Sequence, residues 1–235
     1  MSDAGTRRRP RLVGLIVLAL CVGLLGFAIV SISVGTGGSG QEPITGASET
    51  QSLVGGIQQD GPALGAPDAP ITIQVFNDLQ CDPCSDWNRN VIVPLIRGPV
   101  RAGQVQLVFH HFPISAASGF FLGSYGAVAA AKQDYEWQFI QLFFANQEQA
   151  KKGGGADQEF LNNVARAILN FNVEQWQSDM QDPDVEQTLR EDEKIAADRH
   201  LPAEPAVVVG GPNGSRELTE SPSLPEVESA IAQVR

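Results

Sequence analysis

Two cysteines three positions apart, Cys81 and Cys84, restrict this chain more than any other feature. They stand between a run that reads as a strand and a run that reads as a helix. Ile71-Thr72-Ile73-Gln74-Val75-Phe76 follows Pro70 and is dominated by branched and aromatic residues. After the pair, Trp87, Val91 and Leu95 recur at i, i+4 and i+8, which is one helical face. Pro94 lies inside that face and is expected to kink the helix. A pair opening a helix in this way lies on one turn, and its spacing suits a reversible disulfide closing a very small ring.

At such a helix start, unpaired backbone N–H groups and the positive end of the helix dipole favour a thiolate. Cys81 is therefore the expected nucleophile. Cys84, one turn deeper beside the apolar face, is expected to be more buried and to resolve a mixed disulfide formed at Cys81. Two other uses of the pair stay open on these residues alone. A structural disulfide would close so short a loop that it constrains the unfolded chain little. A zinc site needs four ligands, and His110, His111 and His200 are the remaining candidates. No second pair at metal-ligand spacing follows, and the adjacent His110 and His111 would point to opposite faces of a strand. With three cysteines in 235 residues, the chain is not a multi-disulfide scaffold.

The remaining elements follow from pattern. Gln104 to Phe109 alternates and reads as a second strand; Pro205 to Val209 is a short apolar third. Asn213-Gly214 signals a hairpin into a fourth strand, Ser215 to Leu218. Pro225 to Val234 reads as a closing helix with proline in its first turn. From Leu122 to Arg199 the chain is rich in Ala, Gln and acids with helical periodicity. Phe160, Leu161, Val164, Ala165, Ile168 and Leu169 form a stripe there, with Asp157 as the expected N-cap. Lys151 to Gly155 reads as a break between helices. Strand, helix, strand, helical block, hairpin and helix imply an α/β sheet covered by helices on both faces, with a helical subdomain at about 120–199 inserted into it.

The first residues address the chain. Arg7, Arg8, Arg9 and Arg11 against Asp3 give residues 1–11 a charge of +3, which leaves −14 of the total −11 for the remainder. Residues 12–34 are uncharged and apolar. At about 1.5 Å per residue they span a hydrocarbon core of roughly 30 Å. The arginines are expected to stay in the cytoplasm, so that 12–34 is a single-pass anchor and the rest lies outside. The alternative is a cleaved signal peptide, for which Ser31 to Ser33 is a weak cleavage site. Cys21 falls inside the apolar run and reads as a small apolar residue of it. Residues 35–65 hold nine of the 24 glycines and read as a flexible linker, with Leu53, Val54, Ile57 and Leu64 the residues able to dock as a short arm. The acidic balance argues against nucleic acid as a partner and against lying on an anionic lipid surface.

Several segments together resemble one family. Phe76-Asn77-Asp78-Leu79-Gln80-Cys81-Asp82-Pro83-Cys84 resembles the F-x-D-x-x-C-x-x-C segment of the DsbA-like branch of the thioredoxin superfamily. Val91-Ile92-Val93-Pro94-Leu95 is similar to its V-L-P-x-L, and Val105 to Pro113 to its second strand and following turn. Glu136-Trp137 through Leu142-Phe143, with Ala145-Asn146-Gln147, resembles its first inserted helix. Glu204-Pro205-Ala206-Val207-Val208-Val209-Gly210-Gly211 resembles its T-P-T-F-x-I-N-G strand. The resemblance spans residues 66–235. It implies a thioredoxin fold with a helical insertion and thiol–disulfide oxidoreductase activity. Cys81 would be the nucleophile, Cys84 the resolving thiol, and Pro205 a cis proline packed against the disulfide. The residue before it, Glu204, would offer backbone hydrogen bonds to a substrate strand. The implied reaction forms disulfides in exported proteins, with a reductase or isomerase, or a non-enzymatic metal-binding module, as alternatives. It implies no organic cofactor or metal, and a membrane redox partner of the DsbB or vitamin K epoxide reductase type.

Three positions depart from the family pattern. Glu204 replaces the usual Thr or Val, Asp82 replaces a neutral residue, and Pro83 makes the dipeptide more like that of reducing thioredoxins. Carboxylates at 82 and 204 near the Cys81 sulfur would raise its pKa. Each unit is about 1.4 kcal/mol, or roughly 30 mV, which points to a less oxidising protein. His110 and His111, where relatives often carry Arg and Asp, are expected to be structural. Trp87 and Trp137 are expected to pack, and Glu186 to Asp198 to form a solvated helix face.

Overall fold

The computed structural model describes residues 43–112, 122–152 and 155–235. The basic tail, the apolar run 12–34, Cys21, the first part of the linker and Pro113 lie outside the described residues. Among those described, no helix is long and apolar enough to cross a membrane.

Six strands form one mixed sheet: β1 (Gln59–Asp60), β2 (Ala63–Leu64), β3 (Ile71–Asn77), β4 (Val105–His111), β5 (Ala206–Gly211) and β6 (Gly214–Leu218). Their order is β1-β2-β4-β3-β5-β6, with β3 and β4 parallel and the other pairs antiparallel. On β3 and β4, Ile71, Ile73, Val75, Val105 and Leu107 are buried and alternate with half-buried Thr72, Gln74, Gln106 and Val108, whereas β5 buries Ala206 to Val209 without a break. The alternation marks one fully covered face, and the unbroken run on β5 marks a strand covered on both.

The parallel β3–β4 pair needs a crossover, which the chain supplies as a helix after the cysteines. It begins as α1 (Asp82–Trp87) and continues through a widened π-type stretch at Asn88–Ile92 to α2 (Val93–Leu95). A second π-type stretch, Ile96–Val100, ends it. The backbone stays helical through Pro94, so the expected kink takes the form of widened turns on either side of it.

Between β4 and β5 lie α3 (Leu122–Ala131), α4 (Glu136–Ala145), α5 (Gln147–Lys152), α6 (Gln158–Arg166), α7 (Val173–Asp179) and α8 (Pro183–Asp198). Asp157 caps α6 by accepting from the Phe160 N–H at 2.8 Å. α3 and α4 approach closely because Gly123 and Gly126 lie under the rings of Phe143 and Phe139; a Cβ at Gly126 would sit 2.6 Å from Phe139 Cζ. The closing helix α9 (Leu224–Val234) carries a full capping box between Ser223 and Glu226.

The stretch expected as a flexible linker is packed from residue 43 onward. It contains a further helix, Ala47–Val54, and the β1–β2 hairpin. Leu53, Val54 and Leu64 are buried, so the short arm docks. Thr45 and Asn146 exchange hydrogen bonds, and the Arg101 guanidinium donates to the carbonyls of Ser52, Leu53 and Gly55 at the end of the helix. The glycines that suggested flexibility instead make tight turns, as at Gly61 and Gly65 with positive φ.

Candidate active site

Cys81 is the N-cap of α1 and Cys84 lies in its first turn; the two form a disulfide with Cα atoms 5.3 Å apart. Cys84 is completely buried, whereas Cys81 remains partly exposed. The sulfur that solvent and a second protein can reach is therefore that of Cys81. Pro83 has no N–H, so Asp82 and Cys84 supply the N–H groups of the first three helical positions.

The loop between β3 and α1 is held from both sides. Asp78 is buried, and its Oδ1 accepts from the Gln80 N–H at 2.9 Å. Its carbonyl accepts from the Cys81 N–H at 3.3 Å, and Asn77 Oδ1 accepts from its own N–H. Burial pushes the Asp78 carboxyl above the ordinary range, opposed by the Gln80 hydrogen bond and by His111. From the insertion, Gln147 Nε2 donates to the carbonyls of Leu79, at 2.7 Å, and Cys81, at 2.9 Å.

Asp82 does not stand as an isolated charge beside Cys81. Its carboxylate is 2.7 Å from Lys151 Nζ, which also meets Glu148 at 2.7 Å. These two acids raise the Lys151 pKa. A cation in contact offsets part of the field of the carboxylate, but Lys151 is shared with Glu148, so the effect expected of Asp82 on Cys81 is weakened rather than removed. A groove of about 500 Å³ opens here, between Asp82, Pro83 and Arg89 on one wall and Phe144, Glu148 and Lys151 on the other.

The active-site helix is joined to the insertion by a buried reciprocal amide pair, Asn88 with Gln141 at 3.0 and 3.1 Å. Ser85 Oγ adds a bond to the Phe144 carbonyl. Trp87 and Trp137 pack in the core, and their indole N–H groups donate to the carbonyls of Pro222 and Pro62. On the other flank, the Glu204–Pro205 peptide is cis. Phe76 pairs with Ala206 across β3 and β5. Extended by one residue, that register brings Pro205 level with Asn77, at the end of the sheet from which the cysteine loop springs.

His110 and His111 are both buried in β4 and face carboxylates. His110 Nδ1 is 2.6 Å from Asp192 Oδ1, and His111 Nε2 is 2.9 Å from Glu136 Oε1. Asp192 Oδ2 also accepts the His111 backbone N–H. His200 lies apart, exposed at the end of α8. Among the described residues no cluster of three or more His, Cys, Asp or Glu is arranged to hold a metal. Burial pushes the Glu136 carboxyl up, with the His111 hydrogen bond opposing it.

Sequence reasoning missed Glu136 and Asp192. Asp192 belongs to the stretch expected as a solvated face, yet Val185, Leu189, Asp192 and Ala196 are the buried stripe of α8. That spacing was the signal available for it. Lys151 carried no sequence signal, because its role depends on a contact 69 positions away.

A family model described as thioredoxin matches residues 58–232. The probable disulfide bond formation protein D of Bacillus anthracis is 28% identical over 151 residues, covering 63% of this chain and 69% of its own length. Among solved structures, oxidised BdbD from Bacillus subtilis superposes with a TM-score of 0.59 at 18% identity, over 75% of this chain and 96% of that one. Chlamydia trachomatis DsbA gives 0.61 at 19% identity, over 78% and 94%.

Proposed function

This chain belongs to the thioredoxin family, and we propose that it is a DsbA-like member whose Cys81–Cys84 couple forms disulfides in exported proteins. The observation that carries this reading is the disulfide at the helix start, with Cys84 buried and Cys81 partly exposed; the cis Glu204–Pro205 peptide, at the same end of the sheet, supports it. A substrate thiolate attacks the Cys81 sulfur, the Cys81–Cys84 bond breaks, and Cys84 leaves as a thiolate. A second substrate thiolate attacks the substrate sulfur of the mixed disulfide, and Cys81 leaves. The substrate loses two electrons and two protons, and the pair gains them. Stabilisation of the Cys81 thiolate at the helix start makes it a good leaving group.

The reduced pair then passes its electrons to a membrane redox partner of the DsbB or vitamin K epoxide reductase type. Residues 12–34 serve as a single-pass anchor, with 1–11 in the cytoplasm and the catalytic domain outside. Fractionation of cells with alkaline extraction tests the anchor: the full chain stays with the membrane, and a protein released by alkali sinks that assignment.

The test of the activity is oxidation of a reduced two-cysteine peptide by the purified disulfide form. One peptide disulfide appears per protein, and Cys81→Ser abolishes the reaction. Cys84→Ser accumulates the mixed disulfide when mixed with an oxidised peptide. Undiminished oxidation by Cys81→Ser overturns the reading. In intact cells the pair is mainly disulfide; a mainly dithiol form would favour a reductase or isomerase instead.

A further inference from the structure

We propose that Gln147 is a positioning residue that sets the stability of the Cys81 thiolate. The inference rests on the reading of Cys81 as the thiol that enters and leaves the mixed disulfide. Gln147 is the first residue of α5, in the insertion, and lies 66 positions from Cys81. Its side chain is buried at 3% exposure, so water does not stand in for it. Both N–H groups of one amide are directed at this loop, 2.7 Å to the Leu79 carbonyl and 2.9 Å to the Cys81 carbonyl.

The consequence follows from peptide geometry. In a planar trans peptide the C=O and N–H point in opposite directions. Holding the Cys81 carbonyl therefore fixes the plane it shares with the Asp82 N–H, and directs that N–H to the opposite side. Holding the Leu79 carbonyl does the same for the Gln80 N–H, which donates to Asp78. Pro83 removes one donor from the first turn, so the direction of the Asp82 and Cys84 N–H groups matters more than in a helix with all three. In the disulfide form the Cys81 side chain accepts no capping hydrogen bond. These donors are then available to the sulfur when it becomes a thiolate, which is the state Gln147 favours by fixing the loop.

Gln147 is itself held in place. Its neighbour Asn146 donates to the Thr45 and Leu142 carbonyls and accepts from Thr45. The clamp therefore belongs to the packed N-terminal arm and the insertion together.

The test compares Gln147→Met with the unmutated full chain. Cys81 alkylation as a function of pH and the equilibrium with glutathione are the readouts. The variant is expected to raise the Cys81 pKa by about one unit, which shifts the glutathione equilibrium about tenfold towards the disulfide. Gln147→Asn, which keeps the amide on a side chain one methylene shorter, gives a smaller shift and serves where the Met variant folds poorly. Trp176→Phe removes a buried bond to the Gly126 carbonyl within the insertion and lowers stability without moving either readout. A Gln147 variant that loses stability but keeps the Cys81 pKa and the equilibrium overturns the proposal. Absence of any exchange with glutathione in the unmutated protein overturns the functional reading instead, before a variant is compared.

Discussion

At Asp82 the side chain's charge acts together with its partner's. Next to Cys81 a free carboxylate would disfavour the thiolate, but Lys151 meets it at 2.7 Å and offsets part of its field while also serving Glu148. Lys151→Met should therefore make the protein more reducing, and Asp82→Asn more oxidising. Asp82 is largely exposed, so each change is expected to stay below about one pKa unit, or roughly 30 mV, and to shrink as salt rises. The Lys151→Met shift should also shrink in an Asp82→Asn background, where only Glu148 is left for Lys151 to offset. Glutathione equilibrium measurements on the four proteins give the answer; additive shifts would show that Lys151 acts without Asp82.

β4, α4 and α8 meet through two carboxylates and two adjacent histidines. Asp192 and Glu136 tie the insertion to the sheet by buried contacts with His110 and His111. His111→Ala leaves Glu136 buried without its hydrogen-bond partner, which is expected to cost about 1–3 kcal/mol in denaturant unfolding. Glu136→Gln keeps the shape without the charge and should lose much less. The pH dependence follows from sign. Burial raises the native pKa of Glu136 and of Asp78, so the folded state favours their neutral forms. Their contribution to stability is present below the ordinary carboxylate range and lost as pH rises through the raised native values. As pH rises above about 4, Glu136→Gln and Asp78→Asn should therefore remove part of a decline in stability with pH. An unchanged pH profile in both would show that these carboxyls are not held neutral.

For the molecule as a whole, the folded unit starts earlier than composition suggests. A chain cut at 66 loses Leu53, Val54 and Leu64 from the core, along with the Thr45–Asn146 bonds. Each buried aliphatic side chain is worth about 1.5–3 kcal/mol. Chemical unfolding should therefore find residues 66–235 several kcal/mol less stable than residues 43–235; equal stability would return the arm to the status of a linker. The four strands and the closing helix were legible because strand periodicity and turn chemistry are written locally, in runs such as Val105 to Phe109 and at Asn213-Gly214. The cysteine pair was legible for the same reason: both sulfurs and the helix start that activates them lie within one turn. The docked arm, Asp192 under the histidines, Lys151 on Asp82 and Gln147 on the Cys81 carbonyl were not. Each joins residues far apart in sequence, and a glycine-rich or acid-rich stretch reads the same whether it meets water or a partner. The sequence by itself determined the redox pair and the order of elements around it. Only the tertiary structure decided which charges and carbonyls around that pair are satisfied, because that depends on what packing brings within hydrogen-bond distance.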